Sequence, residues 1–178
     1  NHILTGVDGV PPDIMAIHHD ITLAIDIMFI NTIPFFVTIS RGLKFGTVEK
    51  LNNRQVSTLK TCLETVTCVY TLRGFKVTTI LGDPEFEPLD AHFPGQQINC
   101  CGADEHVPEV ERYIRTIKDR VRSTYNMLPF ARIPRVILVH LVKNMVFWLN
   151  SFPQSDGAST TLSPRHILTG RRIVYDRH

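Results

Sequence analysis

The chain has 178 residues, enough for one domain with a proper core and some flanking peptide, and 43% of them are hydrophobic, which excludes a disordered tail. Its formal charge of +2 is nearly balanced, so total charge identifies no partner and only local clustering carries information. The two most apolar stretches, 21–40 and 133–152, are interrupted by Asp26, Asn31 and Pro34 and by Arg135, His140 and Lys143, so neither reads as a membrane span.

The chain opens on Asn1 rather than on methionine, as expected of a piece of a longer polyprotein. It shows no basic-then-apolar leader with a small-residue cleavage site, so secretion is not expected. Cys62, Cys68, Cys100 and Cys101 form no C-x-x-C pair, and the adjacent Cys100–Cys101 dipeptide is a poor disulfide framework. Reduced thiols without a zinc site are the expectation.

Residues 1–20 carry Gly6, Gly9 and Pro11–Pro12 without a sustained period and read as an extended lead-in. From Ile21 to Ile30 the pattern alternates, with Ile21, Leu23, Ile25, Ile27 and Phe29 on one face and an only partly polar set on the other. Such a strand belongs in the middle of a sheet. Turn residues at Asn31-Thr32-Ile33-Pro34 and a second β run at 35–40 predict an antiparallel hairpin, followed by a short strand near 45–48. Asn52 with Gln55 has the form of a capping box for a helix carrying Val56, Leu59, Leu63, Val66 and Tyr70. Gly74 ends it, and 75–81 returns to β character, parallel to its neighbours through a right-handed crossover. A Pro-rich turn after Asp83, a brief strand at 97–101, and helices at about 108–126 and 134–150 complete the core. The tail from Ser151 reads as loop. The expected fold class is α/β, a mixed sheet flanked by helices.

Three acids stand out. Asp26 interrupts the apolar strand Leu23-Ala24-Ile25-Asp26-Ile27-Met28-Phe29. A carboxylate there loses hydration unless it is paired, protonated or metal-bound. Asp83 follows the strand Thr78-Thr79-Ile80-Leu81-Gly82, and strand carboxyl ends favour ligand sites in open α/β sheets. Glu111 begins a stripe, Glu111, Arg115, Lys118 and Arg122, beside the apolar stripe Val110, Ile114, Ile117 and Val121 of the same helix. Each has an ordinary structural explanation alone. Together, on adjacent elements, they suit a pair of magnesium ions for phosphoryl transfer.

The combination resembles the D-D-E core of retroviral-type integrases, most closely that of Copia-type LTR retrotransposons. Four stretches carry the resemblance: Leu23-Ala24-Ile25-Asp26 before a hairpin, Gly82-Asp83-Pro84-Glu85-Phe86, Val110-Glu111-Arg112 with Arg115-Thr116-Ile117, and Leu162-Ser163-Pro164 through Leu168-Thr169-Gly170-Arg171 to Tyr175. They span about residues 20–176 in the family's order. The run before the third acid departs from the family pattern, being Asp104-Glu105-His106-Val107-Pro108-Glu109. Glu109 and Glu105 therefore stand beside Glu111 as alternatives, and the helical period favours Glu111 because it alone begins the basic stripe.

The resemblance implies a ribonuclease-H-like core with a five-stranded sheet over residues 21–152, followed by a post-core segment at 153–178. It implies DNA integration, with Asp26, Asp83 and Glu111 as catalytic residues and ligands of Mg²⁺ (or Mn²⁺). Arg115 and Lys118, with Arg112 and Arg122 beside them, would contact DNA phosphates. Element ends and target DNA are the implied partners, the chain acts as a homo-oligomer, and integration is placed in the nucleus after a cytoplasmic particle. Two rivals share these residues: another nuclease or transposase of the same fold, and a non-catalytic DNA-binding remnant.

Overall fold

The structure, a computed structural model, describes residues 7–100, 107–130 and 132–171. Helix α1 (Pro12–His18) leads into β1 (Asp20–Ile30), β2 (Ile33–Ser40) and β3 (Gly46–Lys50). Helix α2 (Val56–Thr71) crosses to β4 (Lys76–Gly82), a 3-10 helix spans Pro84–His92, and β5 (Gln97–Cys100) follows. Helices α3 (Pro108–Met127), α4 (Arg135–Leu149) and α5 (Pro164–Thr169) close the chain. The strands form one five-stranded sheet in the order β3-β2-β1-β4-β5. The β1–β2 and β2–β3 pairs are antiparallel, whereas β1–β4 and β4–β5 are parallel. This is the mixed sheet that the sequence pattern predicts, in the five-stranded ribonuclease-H-like form that the resemblance implies, with β1 at its centre.

Alternation along β1 feeds two separate cores. Leu23, Ile25 and Ile27 pack with Leu59, Leu63, Val66 and Tyr70 of α2 and with Ile80 and Phe86. Ala24 and Met28 pack on the opposite face with Val110, Ile114 and Ile117 of α3 and Leu138 and Val142 of α4. A strand covered on both faces has no solvent side, which is why its apolar run is almost continuous. The hairpin turn is Asn31-Thr32, both with positive φ (47° and 65°), so Ile30 pairs directly with Ile33. Those signs match the twist of a two-residue hairpin.

Several local expectations need correction. Residues 12–18 form a helix rather than an extended lead-in, with Pro12 in its first turn and Ile14 buried. The Asn52–Gln55 capping box does not form. Instead Asn53 Oδ1 accepts the Gln55 N–H at 3.1 Å and the Thr58 hydroxyl at 2.6 Å. The tail is not all loop, because α5 is capped by Ser163 Oγ, which accepts the His166 N–H at 3.2 Å. At its other end Gly170 (φ 64°) donates to the His166 carbonyl at 2.7 Å, a left-handed cap where glycine is the unstrained residue. Ile167 and Leu168 then bury into the α2-side core. Cys101 and Tyr175, assigned to the last strand and to the closing motif, lie outside the described residues.

Asn150, just past α4, links that helix to β3. Its side-chain amide donates to the Gly46 carbonyl at 2.7 Å and accepts the Gly46 N–H at 2.9 Å. Both partners are buried, and the paired bonds fix where α4 ends against the sheet.

Candidate active site

Asp26 sits between Ala24 and Met28, so its side chain belongs to the α3 face of the sheet. The parallel register pairs Ala24 with Leu81. Two residues further along each strand, Asp83 comes level with Asp26, where β4 gives way to the 3-10 helix. Leu81 packs against the α3-side core, so the alternation points Asp83 to that face too. Gly82 before it is packed tightly, since a Cβ there would lie 2.8 Å from Phe86 and 2.9 Å from Ile25. Glu111 stands in the first turn of α3, between Val110 and Ile114, which dock the helix on the same face. Strand, strand end and helix thus present the three acids toward one side of the sheet.

The electrostatics single out Asp26. Partial burial pushes its carboxyl from 3.8 up to about 6, and the charges of Asp83, Glu85 and Glu111 push the same way. A hydrogen bond from the Ile27 N–H, at 2.6 Å to Asp26 Oδ1, opposes them without winning. Glu85 is an acid that the sequence reading quoted only as part of a motif. Its place two residues past Asp83, with a proline between, is the signal that could have drawn it into the set. It is partly balanced by Arg54, whose Nη2 lies 3.3 Å from Glu85 Oε2.

A shallow groove of about 420 Å³ joins Asp26 and Glu111 to Arg115, Lys118 and Arg122, with Asp119 also in its wall. The helical stripe and the half-buried strand acid therefore meet in one place. Arg112 does not belong to it. This residue lines a different depression with Lys44, Glu109 and Asp156. Glu109 is on that side as well, engaged by Arg41, whose Nε donates to Glu109 Oε1 at 2.7 Å. Burial disfavours the Glu109 charge, but the Arg41 contact outweighs it and its carboxyl is held below the ordinary range. Glu105, the remaining alternative for the third acid, lies outside the described residues.

Carboxylate oxygens from three elements are the donor type that hard divalent cations take. Their charges also add repulsion at Asp26. Among the described residues no group of three or more His, Cys, Asp or Glu is close enough to hold a metal ion. No helix among the described residues is long and apolar enough to cross a membrane.

No protein-family model and no curated protein sequence matches the chain. In fold it resembles the crystal structure of the catalytic core domain of BIV integrase, with a TM-score of 0.56 and 14% identity over 85% of this chain and 93% of that one. At that identity the likeness establishes the architecture, that of an integrase catalytic core.

Proposed function

We propose that this chain is the catalytic core of an integrase of the Copia-type LTR retrotransposon class. It would be a polynucleotidyl transferase that processes the 3′ ends of element DNA and joins them to target DNA. The observation that carries this reading is Asp26, a carboxylate in a covered strand, pressed by Asp83, Glu85 and Glu111 and opening into a groove lined by three cations. A merely structural aspartate would be expected to have a cation beside it. Here the charges that shift the Asp26 carboxyl are those of acids, which suits a metal ligand set.

In this reading Asp26, Asp83 and Glu111 are the catalytic residues and would hold Mg²⁺ (or Mn²⁺). When bound, the ions supply an activated water or 3′-hydroxyl and neutralise charge at the phosphate. The protein's own part is positioning. Arg115, Lys118 and Arg122 hold backbone phosphates along α3, which sets the strand's register without reading its sequence. Arg112, on the adjoining face of the helix and in a separate depression, has a peripheral part. The reading brings with it DNA ends and target DNA as partners, a homo-oligomer, and action in the nucleus after a cytoplasmic particle.

The test is to incubate the protein with Mn²⁺, a labelled duplex carrying recessed 3′-hydroxyl ends and a supercoiled target plasmid. Joined products are expected, and Asp26→Asn should abolish them. Cleavage without joining would reassign the chain to a nuclease of the same fold. DNA binding with neither activity would make it a non-catalytic remnant.

A further inference from the structure

Lys118 and Arg122 form a ridge between two depressions. On one side lies the groove with Asp26 and Glu111. On the other lies a pocket of about 460 Å³, between the β1–β2 hairpin tip and the carboxyl-terminal half of α3, that includes Ile30, Asn31, Tyr125 and Leu138. Lys118 and Arg122 line both. Arg122 also contacts Asp119 at 3.7 Å, a long pairing one turn back that leaves the guanidinium on the ridge.

We infer that this second pocket receives an unpaired nucleobase of the DNA strand whose phosphates the ridge holds. The inference rests on the reading that DNA is the substrate and adds where one of its bases goes. A nucleobase has two apolar faces and a polar edge, and so needs a flat, mixed slot beside a cationic rim. Ile30 and Leu138 supply aliphatic wall, and half-buried Tyr125 supplies an aromatic ring. Asn31, held at φ 47° in the hairpin turn, brings an amide that can donate and accept at a base edge. The volume lies within the usual range of small-ligand sites, roughly 300–1,000 Å³, larger than a contact with flat duplex backbone needs. Along α3, Tyr125 stands fourteen residues beyond Glu111, about 21 Å at ~1.5 Å per residue, with the two cations between them. A strand lying along this helix would have its phosphates over the cations, its reacting end near the acids, and an unstacked base in the pocket. Bases taken out of the stack are held in this manner, by an aromatic face and a hydrogen-bonded edge.

Binding is measured in metal-free buffer with two labelled probes of equal length: a single strand of deoxyadenosines and a strand of abasic deoxyribose phosphates. They carry the same charge and differ only in their bases. The protein is expected to bind the base-bearing strand roughly 5- to 150-fold more tightly, the range for one stacked base. Tyr125→Leu, which keeps an apolar side chain, and Tyr125→Ala should erase most of that preference while leaving the abasic strand's affinity alone. Asn31→Gly, compatible with the turn's positive φ, should lower the preference in part. Lys118→Ala should weaken both probes alike. A protein that binds both strands equally, or a Tyr125→Leu variant that keeps the full preference, overturns the inference. Either result leaves the joining assay intact, and loss of joining with base preference preserved would count against the catalytic reading alone.

Discussion

Replacing Asp26 with asparagine should stabilise the metal-free protein at neutral pH. The folded carboxyl titrates at about 6 against 3.8 when free. Between those values the native state binds the proton that the unfolded chain has released, so stability falls as pH rises from about 4 through 6. At ~1.36 kcal/mol per unit the raw penalty would be about 3 kcal/mol. The side chain is partly open to solvent, so screening reduces this to roughly 1–2 kcal/mol. Asparagine has nearly the same shape, keeps an oxygen for the Ile27 N–H and carries no charge to desolvate. For a chain of this size the gain corresponds to a Tm increase of roughly 2–6 °C at pH 7.5. It should vanish near pH 4, where the native aspartic acid is itself neutral. Thermal unfolding of both proteins across that range, with chelator present, reads the difference directly. Adding Mg²⁺ or Mn²⁺ should raise the Tm of the parent and have much less effect on the variant. A variant that is no more stable at pH 7.5, or a gap that does not change with pH, would refute the claim that uncompensated charge is stored at this position.

Other expectations concern the neighbouring elements. Glu111→Gln should abolish joining while DNA affinity holds or improves slightly. Glu109→Gln should leave joining intact and cost at most about 1 kcal/mol in stability, because its Arg41 pair is partly exposed. The reverse result in the paired joining assays would move the third acid to Glu109. Lys118→Ala should weaken binding to duplexes of any sequence and reduce the slope of log affinity against log salt by about one, with an unchanged slope showing a merely solvated face. Gly82→Ala inserts a methyl against Phe86 and Ile25 directly before Asp83. Overpacking of that kind costs about 1–3 kcal/mol, so the Tm should fall and joining should drop further than the stability loss alone explains.

The order of strands and long helices is legible in the sequence because β1, α2 and α3 each bury a regular apolar stripe, and the stripe's period reports the element. The short elements are not legible. Helix α1 buries one residue fully, Ile14, and α5 draws its stability from Ile167 and Leu168 joining a core whose other buried residues are distant in sequence, Phe93 and earlier. Neither leaves a local period to find. The capping assignment failed because the residue that caps the helix is Gln55, three positions past Asn52, and it is Asn53 that ties the approach by accepting the Gln55 N–H. At the site, Asp26 is conspicuous because charge in a covered strand violates the pattern, and Asp83 follows from the parallel crossover. Arg112 reads as a neighbour of the basic stripe in sequence, yet one residue of helix is a rotation of about 100°, and that turns it into the separate depression that Glu109 lines. Glu85 is hidden for the opposite reason, since a 3-10 helix brings its charge to bear on Asp26 from a stretch that reads only as a Pro-rich turn.

The Asn150 amide on Gly46 also bears on how this protein meets other copies of itself. β3 is the last strand on its side of the sheet, and an outermost strand offers unpaired N–H and C=O groups as a template for further strands. At Gly46 both groups are already taken by a side chain that imitates the next backbone. The strand is five residues long and carries Glu49 and Lys50, with Glu49 tied to Lys143 of α4 at 2.8 Å. Little continuous edge is left for intermolecular β pairing, so a sheet built around an apolar central strand is protected from edge-to-edge aggregation at this border. Asn150→Leu, which preserves bulk and removes the imitation, would expose that border and should show itself as aggregation on concentration before any loss of fold.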